Sequence, residues 1–71
     1  MANTEMLKAL IEERGLKQRF IARCMNISDK KMHELLNGGR WHLDQVVSFC
    51  SVLNLSKKQR DEIFFNSDVG E

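Results

Sequence analysis

The sequence predicts an all-α fold of five short helices, and three observations favour this class. Apolar residues recur at the i, i+3, i+4 spacing of a helix face, whereas the alternation typical of a strand is missing. No proline, repeat or low-complexity run interrupts the chain, so residues 1–71 are interpreted as one domain without a linker. With 71 residues, the chain can build one small core but not a large buried active site.

The first predicted helix runs from about Thr4 to Arg14. Asn3 or Thr4 is its expected N-cap, and Gly15 is its stop, because glycine accepts the left-handed backbone at a helix end. Its apolar face comprises Met6, Leu7, Leu10 and Ile11.

The second predicted helix covers about Gln18 to Met25 and is expected to bury Ile21, Ala22 and Met25. Lys17 precedes it where a capping side chain is preferred, so the local start signal is weak. Ala22 either admits the close approach of a crossing helix or is simply a good helix former. Asn26 is expected to end the helix, because asparagine tolerates the left-handed backbone.

The third predicted helix has two chemically distinct sides. Ser28 is a good N-cap, because its hydroxyl can accept from a free N–H group of the first turn. At about 100° per residue, the inward side holds Met32, Leu35 and Leu36. The opposite side and its flanks hold Lys30, Lys31, His33, Glu34 and Asn37. Gly38 and Gly39 are expected to end the helix.

The fourth predicted helix begins near Leu43, after a loop that contains Arg40 and Trp41. Trp41 is expected to pack in or over the core because it is a large source of apolar area, and stacking against a ligand is the alternative. The buried side of this helix is expected to comprise Val46, Val47, Phe49, Cys50 and Leu53.

The fifth predicted helix begins with a capping box, in which Ser56 and Gln59 satisfy each other's backbone N–H groups. Ile63, Phe64 and Phe65 then follow as adjacent apolar residues, which cannot all face one core because successive residues lie about 100° apart. At least one is therefore expected at the surface, where it would contact a partner. From Asn66 onwards the chain is expected to fray.

Composition argues against several functional classes. No apolar run of about 18 residues and no targeting pattern is present, which favours a soluble cytoplasmic protein. Cys24 and Cys50 form no CxxC motif and are expected as reduced thiols in or near the core, not as a disulfide or metal pair. His33 and His42 stand at no usual ligand spacing from a cysteine, so no metal or other cofactor is expected. No catalytic constellation or glycine-rich phosphate loop is found, so the chain is not expected to be an enzyme.

The net charge of +1 conceals an uneven distribution along the chain. Residues 14–42 carry seven Lys and Arg residues against two acids, whereas the segments before and after each carry a net charge of −2. A basic central segment is typical of a protein with a polyanion partner. From charge alone, a solvated basic surface without such a partner is the alternative.

Several short motifs between Leu16 and Leu55 follow one another in a characteristic order. They are Gln18 at the start of helix two, Ala22 in its middle, the turn Asn26-Ile27-Ser28, the closing pair Asn37-Gly38, and Leu53 near the end of helix four. With these features the segment resembles the phage repressor and Cro-like helix-turn-helix family. The tail, Leu53-Asn54-Leu55-Ser56 with Ile63-Phe64-Phe65, resembles small Cro-like prophage proteins of Gram-positive bacteria.

The resemblance implies a lambda-repressor-like domain whose helix-turn-helix spans about residues 17–38, and a phage or prophage regulator of transcription. Its partner would be double-stranded DNA, bound in the major groove of a palindromic operator by a homodimer. The predicted base contacts are Asp29, Lys30, Lys31, His33 and Glu34. The predicted contacts to the DNA backbone are Lys17, Gln18, Arg19, Arg23, Ser28, Asn37 and Arg40. A possible dimerisation helix at residues 56–66 would present Phe64 and Phe65.

The chain departs from the family pattern at several positions. The replacements are Asn26 for a turn glycine, Lys17 for a capping Thr or Ser, and Phe20 for a polar residue. In addition, Asp29 and Glu34 stand where uncharged readers are common. Glu34 either accepts from a cytosine amino group or is held by Lys30 one turn earlier.

A second hypothesis is a protein-interaction module that modulates a repressor without binding DNA itself. The low net charge and the acids on the third helix favour it, and Phe20, Phe64 and Phe65 would form its contact surface. Such a module predicts no salt-dependent affinity for DNA, whereas a DNA-binding protein loses affinity steeply as salt rises.

Overall fold

Five α-helices and no strand make up residues 2–65, which are the residues that the computed structural model describes. The helices are α1 Thr4–Arg14, α2 Gln18–Cys24, α3 Asp29–Leu36, α4 Leu43–Leu53 and α5 Lys57–Phe64. The all-α class and the five predicted helices are confirmed. The fraying expected from Asn66 onwards lies outside the described residues. Within residues 2–65, no helix combines the length and the apolar character needed to cross a bilayer.

Local side chains define most of the helix starts. Asn3 and Ser28 cap α1 and α3, since their side-chain oxygens accept from the N–H group three residues further on. The capping box of α5 is confirmed, because Ser56 and Gln59 exchange two hydrogen bonds of 3.1 Å. Lys17 precedes α2 without a side-chain cap, as its weak start signal predicted. Each cap that is present contributes about 1 kcal/mol.

The turn between α2 and α3 uses a left-handed residue, as predicted. Asn26 has φ of 61°, and the N–H group of the following Ile27 donates to the carbonyl of Ala22 at 3.0 Å. This geometry reverses the chain within a few residues, so α3 begins directly beside α2. The pair α2 and α3 has the most extensive contact between helices in the described chain.

One hydrophobic core joins all five helices. Its largest fully buried side chains are Leu7, Ile21, Met32, Leu35, Leu36, Phe49, Leu53 and Ile63. Burying each such side chain contributes about 1.5–3 kcal/mol relative to leaving it exposed. Two longer-range hydrogen bonds join elements around this core: Asn3 N–H to the carbonyl of Ile63 at 2.8 Å, and Arg14 Nε to the carbonyl of Leu53 at 3.2 Å.

Trp41 closes the core beneath the loop between α3 and α4, which confirms the expectation of a packing role. Its Nε1–H donates to the carbonyl of Leu35 at 3.1 Å. Its ring meets Phe49 and Phe64 edge-on, with centroids 5.3 and 4.8 Å away. Such aromatic pairs add about 0.5–1.5 kcal/mol beyond the area that they bury. The loop is thereby fixed to the end of α3.

Three burial expectations are wrong. Val47 is 59% exposed, because the covered sector of α4 contains Val46, Phe49 and Leu53 and leaves its neighbour outside. Cys24 is exposed for the same geometric reason, since α2 turns Ile21, Ala22 and Met25 inward. Phe64 is only 8% exposed and packs in the aromatic cluster with Trp41, so its side chain is buried and not presented at the surface as expected.

Candidate functional site

The outer face of α3 has the polar character that the sequence predicted. Its inward side chains, Met32, Leu35 and Leu36, are at most 1% exposed. Its exposed side chains are Asp29, Lys30, His33, Glu34 and Asn37, with Lys31 half-buried at the flank. Because the core fixes one side of this helix, the other side is presented to solvent in a defined orientation. All five predicted base-contact residues therefore lie on one short helix.

The start of α2 meets the start of α3 in a shallow groove. The groove is lined by Gln18, Arg19, Asp29, Met32 and His33. Within it, Arg19 Nε lies 3.9 Å from Asp29 Oδ2, and both side chains are more than two-thirds exposed. An exposed pair at this distance contributes at most about 1 kcal/mol and opens easily. The groove thus brings two residues that are predicted to contact the DNA backbone, Gln18 and Arg19, next to two that are predicted to contact bases, Asp29 and His33.

Glu34 is paired with Lys31, not with Lys30 one turn earlier. Glu34 Oε1 lies 3.9 Å from Lys31 Nζ, at the i, i+3 spacing. The alternative in which Lys30 holds Glu34 is therefore not observed, and Lys30 has no ion-pair partner among residues 2–65. Consequently the ammonium group of Lys30 is available to an external ligand.

Asn37 is held by two hydrogen bonds at the end of α3. Its Nδ2 donates to the carbonyl of His33 at 2.7 Å, and its Oδ1 accepts from Lys8 Nζ at 3.0 Å. Its amide is thus committed within the chain, which opposes a direct contact with a ligand. The ammonium group of Lys8 thus reaches the same helix end from α1. Lys8 lies 29 positions away in sequence, and no local signal identifies it.

Ser28 keeps a donor for an external acceptor. Its hydroxyl oxygen accepts from the N–H group of Lys31 at 3.0 Å, which leaves the hydroxyl hydrogen unused by the cap. The first N–H groups of α3 point out of the helix at this end, where the helix dipole favours an anion. Asp29 in the first turn opposes that preference, and its distance of 3.9 Å from Arg19 reduces the opposition.

Arg40 projects from a loop that lies close to the end of α3. The N–H group of Gly39 donates to the carbonyl of Glu34 at 2.8 Å. A Cβ atom at Gly39 would lie 2.6 Å from that same carbonyl oxygen, so the close approach requires glycine. Together with the Trp41 hydrogen bond, this contact holds the loop that carries the exposed Arg40 close to the end of α3.

The remaining predicted cations lie on α2 and at its start. Lys17, Arg19 and Arg23 are all exposed. Arg23 has no ion-pair partner within the described chain. Together with Lys30 and Arg40, these side chains supply five of the seven positive charges of residues 14–42. The geometry therefore supports a basic surface around α2, α3 and the following loop.

The large exposed apolar side chains of the described chain lie on α2, on α4 and beyond α5. Leu43 and Val47 are 71% and 59% exposed and occupy one side of α4 at the i, i+4 spacing. Phe20 is 48% exposed on α2, and Phe65 is 50% exposed beyond α5, with the Arg60 guanidinium carbon 5.8 Å from its ring centroid. The sequence argument missed the Leu43 and Val47 pair, because it assigned Val47 to the core.

The titratable side chains of residues 2–65 bear on metal binding through their clustering and on reactivity through a shifted pKa. No cluster of three or more His, Cys, Asp or Glu side chains that could hold a metal is found in residues 2–65. Burial raises the pKa of the Cys50 thiol, and the nearby Arg60 charge partly opposes this effect. A raised pKa disfavours the thiolate, which is the reactive form of cysteine.

Comparison with known proteins identifies the domain type. The family model of the Cro/C1-type helix-turn-helix DNA-binding domain matches residues 6–58, which run from α1 to the first turn of α5. No curated protein and no solved structure matches the chain. The match covers the α2 and α3 pair, the groove between them and the Arg40 loop.

Proposed function

Because the chain belongs to the Cro/C1-type helix-turn-helix DNA-binding domain family, we propose that it is a sequence-specific regulator of transcription of the repressor/Cro type. We further propose that it comes from a phage or prophage and acts in the cytoplasm of its host. The observation that carries sequence-specific binding is the outer face of α3, where donors and acceptors of different types are exposed beside unpaired cations.

The dimensions of α3 suit the major groove of B-DNA. Its eight residues span about 12 Å at 1.5 Å per residue, and the groove is about 12 Å wide. Lys30, Lys31 and Glu34 would contact base edges, with Asp29 and His33 as further contributors. A helix that reads bases in this way supplies selectivity, because each base pair presents its own pattern of donors and acceptors in this groove.

The surrounding groups would hold the phosphate backbone. Lys17, Gln18 and Ser28 lie at the starts of α2 and α3, and Arg40 lies on the loop beyond α3. Arg19 and Arg23 add attraction at longer range. We assign Lys8 to this set in place of a direct contact from Asn37, whose amide is engaged within the chain. Such contacts fix the register of the protein on DNA without reading the sequence.

A symmetric dimer would bind a palindromic operator with half-sites about one turn of DNA apart. We propose that the end of α5, with the half-exposed Phe65, contributes to the dimer contact. Phe64 supports that surface from the core side through its ring contacts.

The test is selection of bound sequences from random duplex DNA, followed by a salt titration on the enriched site. We expect a two-fold symmetric motif and an affinity that falls linearly on a logarithmic plot against salt, with a slope of about −0.9 per neutralised phosphate. Analytical ultracentrifugation with and without the enriched duplex then gives the stoichiometry. Two chains per duplex are expected.

The protein-interaction module remains the alternative, and it predicts a different outcome. The exposed Phe20 and the Leu43 and Val47 pair favour it, because exposed apolar side chains are typical of protein contacts. In that case no motif is enriched, and any DNA binding is weak and equal for all sequences. A purified phage-type repressor would then be retained by the protein, and Phe20→Ser would reduce that retention.

A further inference from the structure

Lys31 and Glu34 place a donor and an acceptor side by side on the reading side of α3. Their charged atoms are 3.9 Å apart, and the side chains are 41% and 52% exposed. That separation is too long for a short hydrogen bond. Both groups therefore keep the capacity to bond with a ligand while their order along the helix stays defined.

The major-groove edge of a G·C base pair also presents a donor beside acceptors. Guanine offers the N7 and O6 acceptors, and cytosine offers the N4 amino donor. Within the base pair, O6 and N4 are hydrogen-bonded to each other at about 2.9 Å. A side-chain donor and acceptor separated by 3.9 Å can therefore face O6 and N4 at the same time.

We propose that Lys31 and Glu34 read one G·C base pair as a unit. Lys31 donates to guanine O6 or N7, and the Glu34 carboxylate accepts from cytosine N4. Lys31 and Glu34 each face a group of opposite hydrogen-bonding type on the base pair. Because Lys31 also stays beside Glu34 on the helix, its positive charge offsets the repulsion between the Glu34 carboxylate and the DNA. The pair therefore acts as one reader of one base pair.

This arrangement disfavours the other base pairs. In C·G the order is reversed, so lysine faces the amino group and the carboxylate faces O6. In A·T the adenine amino group lies between two acceptors, adenine N7 and thymine O4. Lys31 can donate to one of these two acceptors, and the other acceptor then repels the Glu34 carboxylate.

No other group on α3 competes as a reader of adenine. Bidentate recognition of adenine requires an amide with both its donor and its acceptor free. Asn37 carries the amide at the end of α3, and its two ends are hydrogen-bonded within the chain: Nδ2 donates to the His33 carbonyl and Oδ1 accepts from Lys8. The unpaired Lys30 is a donor only and favours guanine at a separate position.

Because this reading presupposes the DNA binding proposed above, the test repeats the selection from random DNA with Lys31→Gln and Glu34→Gln. Both variants are expected to relax the same column of the motif, which contains G·C in the unaltered protein. The loss for that base pair is expected to be about ten-fold. Glu13→Gln, which removes the same charge from an exposed position on α1, serves as the control and leaves the motif unchanged.

The double exchange Lys31→Glu with Glu34→Lys gives the sharper result. It keeps the net charge and reverses the donor and the acceptor, so the same column is expected to change from G·C to C·G. If the two single variants relax different columns, or if the exchange leaves the motif as it was, the paired reading is wrong while DNA binding stands. If the unaltered protein enriches no motif and binds DNA without salt dependence, the proposed function itself fails.

Discussion

α3 and α5 are built alike and differ in the surfaces they present. Both have eight residues, and both follow a serine whose hydroxyl accepts from the N–H group three residues on, at 3.0 and 3.1 Å. Both bury apolar side chains in the same core. α3 belongs to a segment of net charge +5, whereas α5 belongs to one of −2. Forming a helix thus uses the same signals in both places, and function depends on side chains that folding leaves free.

The largest expected effect tests the shared property, burial. Leu35→Ala in α3 and Ile63→Ala in α5 remove side chains that are 0% and 1% exposed. Each is expected to lower the free energy of unfolding by about 2–5 kcal/mol, through lost transfer energy and the cavity left behind. Urea denaturation followed by circular dichroism measures the loss. Leu43→Ala, at a position 71% exposed, is the control and should remain within about 0.5 kcal/mol.

A large loss at Leu35 and none at Ile63 would break the comparison. It would mean that α5 adds little to the core and that the domain is stabilised without it. Such a result would also weaken the assignment of the dimer contact to the end of α5, because that surface depends on a fixed helix.

The next effect separates the two helices through their exposed lysines. Lys30→Ala is expected to weaken binding to the enriched operator by about 1–3 kcal/mol and to change sequence preference, because a base contact is lost. Lys57→Ala removes the same charge from the first residue of α5 and should leave preference unchanged. Fluorescence anisotropy on the operator and on a scrambled duplex, at one salt concentration, measures both. Equal losses for the two variants would contradict a reading role for α3.

Substitution of Arg40 should affect DNA binding in a different way from substitution of Lys30. Arg40→Ala is expected to weaken binding to all sequences equally, because a phosphate contact carries no sequence information. The slope of log affinity against log salt should become shallower by about 1. Salt titrations on operator and scrambled DNA measure this slope. A change of sequence preference in Arg40→Ala would instead assign this loop to the base-reading surface.

How much the sequence could predict depends on whether a signal is local. Ser28 and Ser56 predicted their helices correctly because a cap is completed within four residues. By contrast, the engagement of Asn37 depends on Lys8, which folding brings from 29 positions away. The sequence was therefore sufficient to predict the polar face of α3 but not which of its groups are engaged within the chain.

The aromatic residues at the end of α5 show the same limit. Adjacent residues on a helix cannot share one buried stripe, so at least one apolar side chain had to lie outside, and Phe65 is 50% exposed. Which one lies outside is decided by Trp41, a loop residue whose ring packs against Phe64 with centroids 4.8 Å apart. On α4, Val46 is buried as predicted, but Val47 was misjudged for the same reason, since tertiary neighbours select the buried sector.

The smallest expected effect is also the most closely matched test of the two helices. Ser28→Ala and Ser56→Ala each remove one cap hydrogen bond and should each lower the free energy of unfolding by about 1 kcal/mol. Thermal melts measure this shared cost. Only Ser28→Ala should also weaken DNA binding at a temperature where both variants are folded, because only its hydroxyl hydrogen lies beside the proposed phosphate site. If the two variants lose stability equally and both bind DNA as the unaltered protein does, Ser28 acts only as a helix cap. The phosphate backbone of DNA is then contacted at the start of α3 by the helix N–H groups and by Lys17.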